Sequence, residues 1–162
     1  MLKNGRGATS VNNIQCIYKK LHFNSSVEEQ LQGMELAKKI DDLSLLIQPP
    51  AEPSVWEKCA IVLSEKSDVV LEPFLNDLLG WLQDLNWPGA LTILERLKCF
   101  SGKKLKPFFV NCYNQAVAWN NDEGLRWIDY LSELLDNKQL KAELPNGILE
   151  ILQKHYKNWG EW

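Results

Sequence analysis

Histidine is scarce in this 162-residue chain, which holds only His22 and His155. Neither histidine-based catalysis nor a histidine-rich metal site is therefore expected. The four cysteines, Cys16, Cys59, Cys99 and Cys112, follow one another at spacings that match no zinc or redox motif. They read as reduced thiols in a cytoplasmic protein, with Cys59 and Cys112 acting as small hydrophobes inside helical patterns. Apolar runs stop far short of the roughly 18–20 residues that a membrane span needs. Residues 7–18 are polar and hold no apolar core of a secretory signal. GxGxxG, P-loop, HExxH and GxSxG patterns are all missing, and no ExxH occurs. The expectation is a protein that is not an enzyme, with no catalytic residue, no cofactor, no metal and no membrane.

Charge is present but segregated. The net charge of -3 makes no overall case for nucleic-acid binding. Residues 1–24 carry Lys3, Arg6, Lys19 and Lys20 and no acid. Residues 41–95 hold ten acids against Lys58 and Lys66, and Arg96, Lys98, Lys103, Lys104 and Lys106 follow at once. The basic stretch alone could meet phosphates, but the acidic block beside it opposes that, so no nucleic-acid partner is expected. An acidic block steers a basic protein instead.

Apolar residues recur at helical spacing throughout residues 25–158. Ser26 and Glu29 form a capping box before Leu31, Met34 and Ala37, and Pro49-Pro50 ends that segment. A second helix follows Ser54. A third, from Glu72-Pro73 to Leu85, places Asp77 and Asp84 on one outward stripe. Asn86 caps a fourth, which buries Leu91 among others and ends at Ser101-Gly102. Pro107 opens a fifth, Asn121 caps a sixth, and a last helix covers residues 144–158. No strand-like alternation competes after residue 24. The Gly, Asn and Ser content of residues 1–24 suggests an irregular polar leader before a single helical domain, 25–162.

The helix starts are periodic. Alternate helices begin near residues 54, 88 and 122, and their partners near 72 and 106. A repeat of this length with two helices per unit predicts an all-α fold, a short α-solenoid of HEAT- or armadillo-like antiparallel helix pairs. Seven tryptophans, against five phenylalanines, would fill space between its layers. The surface such a fold displays predicts a partner-binding set of Glu65, Asp68, Asp77, Asp84, Asn111 and Asn114, with Glu52 and Glu57 along the rim. His155 reads as a surface residue, and the tail tryptophans Trp159 and Trp162 as packed caps.

Two stretches, SSVEEQLQGMELAKKIDDLSLLIQPP (25–50) and LLGWLQDLNWPGALTILERL (78–97), resemble small bacterial immunity proteins with HEAT-like helical repeats. Such proteins are encoded beside polymorphic or contact-dependent toxins. The WLQDLNWPGA segment also looks like a bacterial domain of unknown function found in these cassettes. The resemblance implies a protein, monomeric when free, that neutralises a cognate protein toxin by stoichiometric binding. Many such toxins are nucleases, whose basic surface an acidic face would occupy. A generic helical-repeat scaffold without a toxin partner is the alternative, and the neighbouring reading frame separates the two.

Overall fold

The computed structural model describes residues 5–50 and 52–159. Among them every regular element is helical. None of these helices is long and apolar enough to cross a membrane.

The N-terminal segment is not an irregular leader. Residues Gly5–Leu21 form helix α1, which pairs with α2 (Val27–Ala37). Ile14, Ile17, Tyr18 and Leu21 recur at i, i+3, i+4 and i+7, and all four are buried. Among the described side chains the stripe occupies the last two turns, behind a sequence run of glycine, serine and asparagine that hides it. The Tyr18 hydroxyl donates to the Leu45 carbonyl at 2.5 Å, tying α1 to the chain beyond α2. The expected Ser26 cap is present, its hydroxyl accepting the Glu29 N–H at 3.1 Å.

Two short 3-10 turns follow, at Leu43–Leu46 and Pro53–Val55, and lead into α3 (Trp56–Ser64). The continuous helix expected from Glu72 to Leu85 is broken. The chain runs through α4 (Asp68–Leu71), a 3-10 turn at Glu72–Phe74, α5 (Leu75–Gly80) and a second 3-10 turn at Trp81–Gln83. Pro73 has no N–H to continue an α-helical ladder from α4, so the chain tightens there. Asp84 lies beyond the helix, in extended backbone, and accepts the Asn86 N–H at 2.8 Å. It therefore shares no stripe with Asp77.

Helix α6 (Ala90–Lys98) starts at Gly89, not at Asn86. Gly89 has φ +82°, and a Cβ there would lie 2.7 Å from Ala60 Cβ, so only glycine lets α6 begin this close to α3. Leu91, expected inside, is exposed, because α6 packs on α3 through Ala90, Ile93, Leu94 and Leu97. Ser101-Gly102 does more than end α6. Ser101 caps α7 (Gly102–Trp119), leaving Pro107 inside that helix rather than at its start. Pro107 and Lys103, whose carbonyl loses the missing N–H, are both exposed, so water can satisfy the break.

Asn121 caps α8 (Asp122–Ser132) as expected, accepting the Gly124 N–H at 2.8 Å. The final segment divides at Pro145 into α9 (Lys138–Glu143) and α10 (Asn146–His155). Neighbours pack largely in chain order: α2 on α3, α5 on α7, α7 on α8 and α9, and α8 on α10. The core is continuous through these contacts.

Candidate functional site

Where helices break, indole rings fill the joints. Trp81 and Trp127 are almost wholly buried, and Trp56, Trp87 and Trp119 are half-buried. Trp56 meets Trp81 and Trp87 edge-on, with centroids 6.2 and 6.1 Å apart. Trp119 lies 5.1 Å from Trp127, whose Nε1 donates to the Leu79 carbonyl at 3.1 Å. Of the two tail tryptophans, Trp159 is half exposed and packs edge-on against Tyr130 at 5.3 Å. Trp162 lies outside the described residues.

Beside this aromatic joint an open groove of about 590 Å³ runs between α5 and α7, with Ser44, Ile47 and Gln48 closing it from a third side. Two of the expected partner-binding residues, Asp77 on α5 and Asn111 on α7, line it together. Gln48, Asn76, Gln83 and Gln115 add four further side-chain amides, and Trp87 stands in the wall. The lining includes one carboxylate and no lysine, arginine or histidine. No hydrogen bond or ion pair reaches the Asp77 carboxylate from the described residues. The buried Cys112 thiol closes one side and donates to Asn76 Oδ1 at 4.0 Å. Burial, reinforced by the charge of Asp77, pushes that thiol up to about 11. In the sequence the amides other than Asn111 pass unmarked, and Trp87 reads as filling between helical layers. Their signal is weak, since Asn and Gln on an exposed helix face look like ordinary solvated positions.

The other expected residues do different work. Asp68 is half-buried and receives Arg96 Nη2 at 2.6 Å and the Ser101 N–H at 2.9 Å. Burial pushes its carboxyl up, but these hydrogen bonds and the charges of Arg96 and Lys104 outweigh that and hold it below the ordinary aspartate range. Asp68 is thus a clamp joining α4, α6 and the start of α7, not a free docking charge. Glu65 is exposed and sits 3.4 Å from Lys38, a pair of little energetic weight. Asp84 is engaged in its own turn. Asn114 is exposed but lies outside the groove lining.

His155 is not a surface residue. It is half-buried, and its Nδ1 lies 2.6 Å from a carboxylate oxygen of Asp129, which is only 2% exposed. Nearby in sequence, Glu133 is buried with Oε1 lacking a hydrogen-bond partner. Among the described residues no cluster of three or more His, Cys, Asp or Glu side chains could hold a metal. The pair fastens α10 to α8.

The described residues form an all-helical protein, and this polar groove is one of several open pockets on its surface. Residues 57–138, just over half the chain, match the family described as domain of unknown function DUF5071, and the chain belongs to that family. The match covers α4 to α8 and so includes the α5 and α7 sides of the groove, while Ser44, Ile47 and Gln48 lie before it. No curated protein and no solved structure matches the chain.

Proposed function

We propose that this protein is a stoichiometric inhibitor, an immunity protein that binds a cognate bacterial toxin and blocks it without turning over a substrate. The helices act as a short solenoid of antiparallel pairs, and the partner docks against the groove between α5 and α7. The single observation that carries the reading is the groove itself, an uncovered polar surface whose one carboxylate, Asp77, takes no hydrogen bond or ion pair from the described residues. Near-sequential packing of neighbouring helices supports the solenoid arrangement. A lining with acid and amides but no cation suits a basic partner, such as a nuclease surface. The site of action is the cytoplasm of the producing cell.

Co-expression with the product of the adjacent toxin-like reading frame tests the proposal. The wild-type chain restores growth, and Asp77→Lys weakens that protection. Failure of the wild-type chain to protect against a neighbouring toxin that is itself active sinks the immunity reading and leaves the scaffold alternative. Full protection by Asp77→Lys refutes docking at the groove.

A further inference from the structure

We propose that the groove between α5 and α7 takes an arginine side chain, presented by the partner protein. The inference rests on the protein-binding reading above, and names what the partner must present. Three features of the lining carry it together. The first is charge: Asp77 is the lone carboxylate, with no cation among the lining residues and no hydrogen bond or ion pair from the described chain. A cation is the missing complement. The second is the ring of side-chain amides. Gln48, Asn76, Gln83, Asn111 and Gln115 bring side-chain amides, each with a carbonyl acceptor, to the same groove from two helices and two connecting segments. An ammonium has three donors on a compact, strongly hydrated centre. A guanidinium has five donors in a fixed plane and is more weakly hydrated, so it can bond a carboxylate and several amides at once. The third is Trp87, whose indole stands in the groove wall and is held edge-on by Trp56 at 6.1 Å. A planar cation stacks on such a face.

The groove is also built to admit a side chain. Gly80 lines it, and a Cβ at that position would meet only Gln83 Nε2, at 3.7 Å. The absent side chain therefore leaves room rather than relieving a clash. Gly80 lies in right-handed helical backbone as the last residue of α5, so larger residues are tolerated there. The same position supplies a plug for testing the site.

The test uses the full chain and no toxin. Nα-acetyl-arginine methylamide is titrated into isotopically labelled protein, with the lysine and citrulline counterparts in parallel. Citrulline keeps the shape of arginine and removes its charge. The expected result is saturable movement of the Trp87 indole signal and of the groove amides with the arginine compound alone. Asp77→Asn weakens that binding about tenfold, the size of a lost charge-assisted hydrogen bond. Gly80→Gln abolishes it by filling the groove, while the remaining amide spectrum stays that of a folded protein. Equal response to the citrulline or lysine compound overturns the proposal, as does no response to any of the three. Undiminished binding in both variants overturns it too. Rescue of growth without arginine binding refutes this inference and spares the inhibitor reading; arginine binding without rescue does the reverse.

Discussion

Replacing Asp68 by asparagine tests the clamp between α4, α6 and α7. The carboxylate accepts Arg96 Nη2 at 2.6 Å on one oxygen and the Ser101 N–H at 2.9 Å on the other. Asparagine keeps the shape but offers one acceptor and one NH2. Whichever way it turns, a donor faces a donor at one of the two contacts. One hydrogen bond to the carboxylate is lost and the other loses its anionic acceptor. Arg96 keeps the Lys66 carbonyl at 2.9 Å, and 32% of the Asp68 side chain is in water, which limits the loss. The cost is therefore about 2 kcal/mol, towards the lower end for hydrogen bonds to charged groups. In a chain of this size that lowers Tm by about 4–8 °C. Its pH dependence follows from the direction of the Asp68 shift. A carboxyl held low in the folded state adds stability above its unfolded value and loses it as pH falls through the folded value. The gap between wild type and Asp68→Asn should thus be full at neutral pH and close as pH falls below the ordinary aspartate value of 3.8. Urea unfolding followed by tryptophan fluorescence at both pH values measures it. No gap at neutral pH, or a gap that persists unchanged in acid, refutes the clamp.

Glycine substitutions should separate room from necessity. Gly80→Ala adds a Cβ in ordinary contact and stabilises by about 0.5–1 kcal/mol through helix propensity. Gly89→Ala, at φ +82° with Ala60 Cβ 2.7 Å away, destabilises by about 2 kcal/mol or more; thermal melts of both variants check the opposite signs. Thiol labelling should find Cys16 and Cys99 reactive in the folded protein and Cys59 and Cys112 protected until it unfolds. Burial pushes the Cys59 thiol up to about 12, and burial with the nearby Asp77 charge pushes Cys112 to about 11, so neither supplies thiolate near neutral pH. Rapid labelling of all four thiols in native buffer would contradict the packing of α3 and α7.

Helix identity was readable wherever a capping residue preceded a long apolar stripe. Ser26 and Asn121 cap as expected because their side chains act locally, on a backbone N–H three residues ahead. Breaks were harder. Leu75, Leu78, Leu79, Leu82 and Leu85 are all buried and keep helical spacing, yet they cross a helix end and a 3-10 turn. Apolar spacing reports burial, and burial continued while the backbone hydrogen-bond pattern changed. Asp77 and Asp84 parted company for that reason. The ion pairs of Asp68 and His155 depended on partners 28 and 26 residues away, which no local pattern specifies. Asp77 and Asn111 could be read as outward-facing because each sits on the exposed side of its helix. Their convergence across one groove was a property of packing.

The aromatic joints and the groove are consequences of the same broken helices. An α-helix leaves its last carbonyls without intrahelical donors, and a buried end needs other partners. Leu79, next to the end of α5, gives its carbonyl to Trp127 Nε1. The Pro49 and Pro88 carbonyls, each in an irregular turn, accept from Trp56 and Trp81 Nε1 at 3.0 Å. Tryptophan suits these joints because one side chain both fills a wide gap and carries a single N–H donor. Phenylalanine would fill much of the gap and leave each carbonyl without this partner. That accounts for tryptophan at three of these positions, Trp56, Trp81 and Trp127. The groove opens at the same place: α5 stops at Gly80, Trp127 lines the groove beside it, and the polar side chains there include one carboxylate and five amides.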